Sequence, residues 1–116
     1  MDTDRRENPR TEAKGLKAKI IITHSNRSIM LADVNLLDVS RTGIKLRVQK
    51  PLVVELGAKV QLEIVLPYSG VPVILDAVIV HEKFESEFGL HYIDVKPEDP
   101  LTELITQCEK RRSWID

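Results

Sequence analysis

The sequence predicts a mainly β domain, a small antiparallel barrel or sandwich of about six strands followed by one C-terminal helix. Residues 16–93 form short runs in which apolar and polar side chains alternate, and polar or Pro- and Gly-containing turns separate these runs. Residues 99–112 change to a helical spacing of apolar residues. A length of 116 residues suits one domain that buries its own core without a metal or a disulfide.

The strands are predicted from alternation with period two. Ile44, Leu46 and Val48 alternate with polar neighbours, which is typical of a strand with one buried face. Pro67–Gly70 predicts a hairpin turn, and Pro72 places the start of the next strand at a sheet edge. The six predicted strands cover residues 16–23, 28–37, 44–49, 60–66, 71–80 and 88–92.

The last segment is predicted as a helix over about 99–112. Its apolar residues recur at the spacing of one helix face, and Asp99 and Pro100 suit the N-cap and the first helical position. The apolar positions are Leu101, Leu104, Ile105 and Cys108. We therefore expect this helix to pack on the barrel, with Cys108 as a small core residue.

Composition excludes several classes of function. The 17 Lys and Arg residues nearly balance the 18 Asp and Glu residues, so the net charge of −1 argues against a nucleic-acid polymer as partner. The chain has one cysteine, which allows no intrachain disulfide. Its apolar runs are too short for membrane insertion and the N-terminus is not a secretory signal, so we expect a cytoplasmic domain.

Catalysis and metal binding are not expected. His24, His81 and His91 lack the clustered spacing of metal ligands. No histidine is tied in sequence to Asp38 and Ser40, so we expect neither a catalytic residue nor an enzyme. Trp114 could either pack on the barrel or anchor a partner, and the sequence does not decide between the two.

Residues 1–15 read as a flexible N-terminal arm with two arginines four positions apart. Arg6 and Arg10 form an R-x-x-x-R motif, Arg5 lies beside it, and Pro9 disfavours a helix between them. In an extended segment both arginines face one side. The guanidinium fork suits phosphate and the O6/N7 edge of guanine. Alone the motif is weak, since eight arginines give about half a chance match.

A second motif, D-x-S-x-x-G, lies between two predicted strands. Asp38 can only accept hydrogen bonds and could face the N1–H and N2–H donors of a guanine, while the Ser40 hydroxyl could reach a phosphate or a base. Gly43 would let the turn adopt a positive φ or let a ligand approach the backbone. A plain turn would also use these residue types. Chance gives roughly 0.02 matches to the pattern, so it is the more specific of the two motifs.

Together the two motifs resemble the signature of the PilZ family. R-x-x-x-R stands in a polar arm, D-x-S-x-x-G follows about thirty residues later in a β-rich domain, and Gly89–Tyr92 is similar to the family's late strand. The resemblance runs from Arg5 to the C-terminal helix. It implies a stand-alone PilZ domain, a six-stranded antiparallel β-barrel over residues 16–116 with the C-terminal helix.

The resemblance implies cyclic di-GMP as the ligand and no other cofactor. Arg6 and Arg10 would clamp phosphates and guanine edges, and Asp38 would take the donors of a guanine. Ser40 would add a hydrogen bond, and Gly43 would permit close approach. Arg5 occupies the position that the family links to binding one ligand or a stacked pair. His81 could stack on the ligand or be an exposed strand-end residue.

Two functions follow from the resemblance. The first is a cyclic di-GMP receptor whose arm orders on the ligand and which signals to an unidentified effector protein in trans. The alternative is a PilZ-like adaptor for protein–protein contact, with nucleotide binding lost or secondary. The complete motif pair favours the receptor.

Overall fold

A computed structural model describes residues 11–24, 27–93 and 101–115. Seven strands and one helix follow in the order β1 (Thr11–Glu12), β2 (Lys17–His24), β3 (Arg27–Val39), β4 (Gly43–Arg47), β5 (Lys59–Val65), β6 (Pro72–Lys83), β7 (Glu87–Tyr92) and α1 (Leu101–Ile115). All strand pairs are antiparallel. The predicted mainly β fold with one C-terminal helix is confirmed.

Six of the strands close into a barrel. The neighbours run β3-β2-β5-β6-β7-β4, and pairing between β3 and β4 joins the two ends. Closure gives most of the main-chain groups a partner and removes most of the free edge that an open sheet would leave. The predicted six-stranded antiparallel barrel is therefore confirmed, and the sandwich is not formed.

The barrel interior follows the alternation read from the sequence. In β5 and β6 buried apolar residues alternate with exposed ones, which sends one face of each strand inward. The largest fully buried side chains are Leu36, Ile44, Leu46, Leu62, Ile64, Ile79 and Leu104. Aliphatic side chains thus fill most of the core, in line with the aromatic content of only 4% in the chain.

Helix α1 covers one end of the barrel and packs against β1 and β6. Leu101, Leu104 and Cys108 are buried on its inner face, as the periodicity predicts. The Gln107 Oε1 atom accepts hydrogen bonds from the backbone N–H groups of Tyr68 at 2.8 Å and Ser69 at 3.3 Å. The helix extends to Ile115, beyond the predicted end at 112, and the predicted caps Asp99 and Pro100 lie outside the described residues.

The strand β1 lies within the predicted arm of residues 1–15 and pairs with the barrel. Thr11 pairs with Val39, Glu12 pairs with Asp38, and Ala13 is fully buried in the core. No sequence pattern predicts this pairing, because a two-residue strand has no periodicity to read. Residues 1–10 of the predicted arm lie outside the described residues.

No helix in the described ranges is long and apolar enough to cross a membrane.

Candidate ligand site at the β3–β4 turn

The D-x-S-x-x-G segment forms the end of β3 and the turn into β4, at the barrel end that α1 covers. Ser40 donates its backbone N–H to the Gly43 carbonyl at 2.9 Å, which closes the turn. Tyr92 in β7 donates its N–H to the Thr42 carbonyl at 3.1 Å. Arg41 reaches from the turn to Thr102 at the start of α1, with Nη1 3.2 Å from Oγ1. The turn is therefore held by β7 and by the helix.

The Ser40 side chain stabilises the turn to which it belongs. Its side chain is 1% exposed, and its Oγ accepts hydrogen bonds from the N–H groups of Thr42 and Gly43, each at 3.2 Å. The same hydroxyl lies 3.3 Å from the Gly43 carbonyl, to which it donates. These bonds satisfy buried backbone groups that the tight turn would otherwise leave unpaired. The direct contact of Ser40 with a ligand stays a prediction.

Glycine is required at position 43 because a side chain would not fit there, and not because of the backbone conformation. Its φ is not among the positive values of the described glycines, so of the two roles that the sequence allowed for Gly43 the positive-φ turn is not formed, and close approach of a ligand stays a prediction. A Cβ at this position would collide with the main-chain carbonyl oxygen of Leu90 in β7 and press on the ring of His91. Only glycine therefore lets β4 approach β7 here. The sequence motif alone could not distinguish these two reasons.

Asp38 lies on β3 where the ladder with β4 is irregular. Leu36 pairs with Leu46 while Asp38 pairs with Lys45, so Leu37 is an extra residue in β3. Such a bulge changes the direction in which the following side chains point. It makes half-buried Asp38 the cross-strand partner of half-buried Lys45. An acidic and a basic residue are thus neighbours beside the turn.

A shallow groove continues from the turn across the outer wall of the barrel. Lys45, Gly89 and His81 pair in one row across β4, β7 and β6. Gly89 has no side chain, which leaves a depression of about 220 Å³ between its neighbours. The groove is lined by Ile44, Lys45, Val80, His81, Gly89, Leu90 and His91.

Lys45 and His91 line the candidate groove, and the sequence interpretation did not include them in the site. Lys45 is two positions beyond Gly43, and the alternation of β4 was the available signal that it faces outward. His91 is exposed and pairs with Gly43, a relation that depends on the β4–β7 register. His81 is exposed at the far side of the groove, and its stacking role stays a prediction.

The structure brings the start of the described chain to this turn. Thr11 pairs with Val39, the residue between Asp38 and Ser40. Thr11 directly follows Arg10, the second arginine of R-x-x-x-R, in the sequence. Arg5, Arg6 and Arg10 themselves lie outside the described residues. The pairing of β1 with β3 places Thr11, the residue that follows the first motif in sequence, beside the second motif.

The described part of the chain, residues 11–24, 27–93 and 101–115, contains no group of three or more His, Cys, Asp or Glu side chains suited to a metal ion.

Comparison with known families gives a match over nearly the whole chain. The family model described as PilZ domain matches residues 4–110, which include both motifs, the barrel and most of α1. A search of curated proteins gives no match.

Two solved structures share the fold. The Bacillus subtilis inhibitor of motility MotI/DgrA superposes with a TM-score of 0.68 at 22% identity, over 95% of this chain and 52% of that one. This chain thus spans about half the length of MotI/DgrA. The PilZ domain of CeSA from a cellulose-synthesizing bacterium gives a TM-score of 0.58 at 13% identity, over 92% of this chain and 97% of that domain. At these identities the similarity concerns the fold.

Proposed function

Because the chain belongs to the PilZ family, we propose that it is a receptor for cyclic di-GMP that binds its ligand between the N-terminal arginines and the β3–β4 turn. One observation carries the proposal. The β1–β3 pairing sets Thr11 opposite Val39, so the residue that follows R-x-x-x-R in sequence lies beside the D-x-S-x-x-G segment. Two motifs about thirty residues apart in sequence then act on one ligand.

The chemistry of the proposed site matches a dianionic dinucleotide. Arg6 and Arg10 supply guanidinium forks for phosphate and guanine edges. Asp38 accepts from the N1–H and N2–H groups of a guanine. Lys45 adds a cation on the outer wall, and the His81 ring offers a flat surface for stacking. Arg5 adds a further positive charge, which favours a stacked pair of ligands over one.

Ser40 and Gly43 serve the site through the turn. The Ser40 hydroxyl holds the backbone of Thr42 and Gly43, and Gly43 keeps β4 close to β7. Both residues therefore set the position of Asp38 and Lys45 on the neighbouring strands. In this proposal they are positioning residues, and their direct contacts with the ligand are secondary.

The output of the receptor is a change in its N-terminal segment that a partner protein detects. Ligand binding draws residues 1–10 onto the barrel, and the effector in trans binds this ordered form. The protein acts in the cytoplasm as a binding module rather than as an enzyme. One fold relative is named an inhibitor of motility, so control of motility is the first output to test, ahead of biofilm regulation.

Calorimetric titration of cyclic di-GMP into the purified chain tests the proposal, with GTP as the control ligand. We expect selective binding that weakens by tenfold or more in Arg6→Ala, Arg10→Ala and Asp38→Ala, since each loses a hydrogen bond to a charged group, worth about 1.5–3 kcal/mol. Arg27→Ala, the same change at the opposite end of the barrel, should bind normally. The stoichiometry, and its change in Arg5→Ala, separates one ligand from a stacked pair.

A folded protein that binds no cyclic di-GMP would contradict the receptor. It would favour the adaptor with lost nucleotide binding. Equal affinity for GTP would also contradict the proposal, because the site would then bind phosphate groups without distinguishing the cyclic dinucleotide from GTP.

A further inference from the structure

The barrel end away from α1 carries an apolar groove of about 250 Å³. Ile22 of β2 pairs with Ile29 of β3, and paired residues of neighbouring strands point to the same face of a sheet. Ile22 is buried in the barrel, so Ile29 faces the interior as well, yet Ile29 is 47% exposed. The mouth of the barrel is therefore not filled at this point. Beside these two isoleucines the groove is lined by Arg27, Val53, Val54, Glu55 and Ala58.

The β6–β7 hairpin carries an exposed aromatic side chain at the same barrel end. Pairing of β5 with β6 stops at Lys59 and Val78, whereas β6 continues to Lys83. The hairpin thus projects beyond the strands beside it. Phe84 follows Lys83 at its tip and is 82% exposed, the largest exposed fraction among the large apolar residues of the described ranges.

The turn that presents Phe84 has an unfavourable backbone conformation for its sequence. Phe84 and Glu85 have φ values of 54° and 57°, the positive values among the described non-glycine residues. Hairpin turns with two such residues strongly prefer Asn-Gly, and a bulky residue at positive φ is an outlier. The turn is held by the Glu85 N–H, which donates to the Glu82 carboxylate, and by the Leu52 N–H, which donates to the Glu85 carbonyl at 2.8 Å. A strained residue that is firmly held in this way is typical of a functional contact.

The groove and Phe84 lie on opposite sides of the barrel mouth. The groove belongs to the β2–β3 side, and Phe84 belongs to the β6–β7 side. In the closed ring of strands, β5 separates these two pairs in one direction and β4 separates them in the other. A two-fold axis perpendicular to the barrel axis would therefore bring the Phe84 of each copy to the groove of the other copy.

We propose that two copies of this chain associate end to end, with Phe84 of each copy inserted into the groove of the other. The groove is large enough, since an apolar cavity of about 150 Å³ is sufficient to hold benzene. The charges also match. Phe84 stands between Lys83 and Glu85, and the charged residues of the groove are Arg27 and Glu55, so insertion of the ring lets Glu85 approach Arg27 of the second copy.

The segment between the groove and Phe84 adds apolar surface to the contact. Leu52 is bonded to the β6–β7 turn and Val53 lines the groove, so this segment crosses the mouth of the barrel. Val53 and Leu56 are both strongly exposed. In the end-to-end pair their side chains lie between the two Phe84 contacts. An exposed apolar surface of this kind is typical of an interaction site.

The proposed association is weak, because it depends on two aromatic anchors and one short segment. A buried aromatic side chain covers about 150–250 Å². A stable interface needs roughly 1,200 Å². We therefore expect a reversible dimer at high protein concentration, with Phe84 as its dominant residue. The β3–β4 turn lies at the other end of the barrel, so the dimer does not depend on the proposed ligand.

Sedimentation of the full chain over a concentration series, without ligand, tests the proposal. We expect the mass to rise from 13.2 kDa toward twice that value. Phe84→Ala should raise the dissociation constant by about thirtyfold or more, because both anchors are lost. Ile29→Asp, which places a charge in the groove, should weaken the dimer as well. Val65→Asp, at a strand position of similar exposure near the other barrel end, is the control and should leave the dissociation constant unchanged.

A double variant separates the contact from the turn. Phe84→Asn/Glu85→Gly gives the hairpin the sequence that its backbone prefers, so the melting temperature should rise. The same variant lacks the aromatic ring and should remain a monomer. If it dimerised like the wild-type protein, Phe84 would not be the anchor and the proposal would be overturned.

Cross-linking tests the exchange between copies. An equimolar mixture of Glu85→Cys and Arg27→Cys, which both retain Phe84, should give a covalent heterodimer with a short bis-maleimide. Neither variant alone should do so, because equal positions lie on opposite sides of the two-fold axis, and the natural Cys108 is buried. A monomer at all concentrations, or a dimer that persists in Phe84→Ala, would overturn the proposal.

Discussion

At the scale of single residues, the site depends on close contacts that tolerate little change. Ser40 and Gly43 are both buried, one to satisfy the backbone of a tight turn and the other to let two strands approach. Neither residue needs a ligand to explain its presence. The proposed ligand contacts instead fall to exposed or half-buried side chains around them, such as Asp38 and Lys45.

Replacing Gly43 should damage the fold and the site together. In Gly43→Ala the new Cβ meets the Leu90 carbonyl, so β4 and β7 must separate, at a cost of about 2–3 kcal/mol in the free energy of unfolding. Gly89→Ala is the matched control, since its Cβ meets only the His81 Cβ at 3.2 Å. Urea denaturation measures both. Equal stabilities of the two variants would contradict this account of Gly43.

The ion pair between Arg47 and Glu87 should give stability that depends on pH. Arg47 donates to the Glu87 carboxylate at 2.7 Å, and this hydrogen bond lowers the pKa of Glu87 below its ordinary value of 4.5. The unfolded chain then binds more protons than the folded chain just below pH 4.5. The stabilisation is therefore complete above that pH and is lost as the pH falls through the folded-state pKa.

Melting temperatures of wild type and Arg47→Met between pH 7 and pH 2.5 test this. The wild type should be the more stable at pH 7, by a small margin because the pair is partly exposed, and the difference should shrink below pH 4.5. Glu87→Gln removes the titrating group. In the Glu87→Gln variant, Arg47→Met should change the melting temperature by the same amount at both ends of the pH range. If the change still depended on pH, groups other than Glu87 would be responsible for that dependence.

At the scale of the elements, α1 is attached to the barrel by apolar burial and by polar side chains, among which Gln107 makes several contacts. Gln107 is 5% exposed, and its Oε1 caps the N–H groups of Tyr68 and Ser69 in the β5–β6 turn. Its Nε2 donates to Glu103 Oε2 at 2.9 Å, one helical turn earlier. The helix and the hairpin therefore hold each other in place.

Removing this amide should loosen both elements. Gln107→Ala leaves two partly buried N–H groups without their acceptor, so we expect a loss of about 1–3 kcal/mol in stability. Hydrogen exchange should become faster at Tyr68 and Ser69. Gln61→Ala, at an exposed position of β5, is the control and should leave exchange at the turn unchanged. Unchanged protection in Gln107→Ala would mean that the Gln107 amide does not hold the helix and the turn together.

At the scale of the whole molecule, closure of the barrel creates the candidate site. The β3–β4 and β4–β7 pairings bring Asp38, Lys45 and His91 together, and β1 adds the end of the predicted arm. Ligand binding to this assembled state must stabilise it against unfolding, because the unfolded chain has no such site.

Cyclic di-GMP should therefore raise the melting temperature. At about 100 times the dissociation constant the stabilisation is about 2.7 kcal/mol, which corresponds to a shift of the order of 10 °C for a domain of this size. Differential scanning fluorimetry measures it. The double variant Arg6→Ala/Arg10→Ala should melt like the wild type without ligand and lose the shift. A shift retained in that variant would place the ligand elsewhere on the barrel.

The fold was predictable from the sequence because strand alternation and helix periodicity are local. The six strands, the C-terminal helix and the buried Cys108 follow from apolar spacing that each element carries by itself. The family was predictable for a related reason. The motifs at residues 6–10 and 38–43 keep their residue types and spacing in the chain, so no coordinates are needed to read them.

The register between strands was not predictable, because it depends on the packing of the closed barrel. Register decides that Gly43 faces the Leu90 carbonyl, that His91 joins the groove and that Thr11 pairs with Val39. It also leaves residues 27–34 of β3 paired with β2 but with no second strand among the described residues. The sequence by itself determined the elements and the binding motifs. Only the tertiary structure decided which residues meet, since those contacts link strands that are distant along the chain.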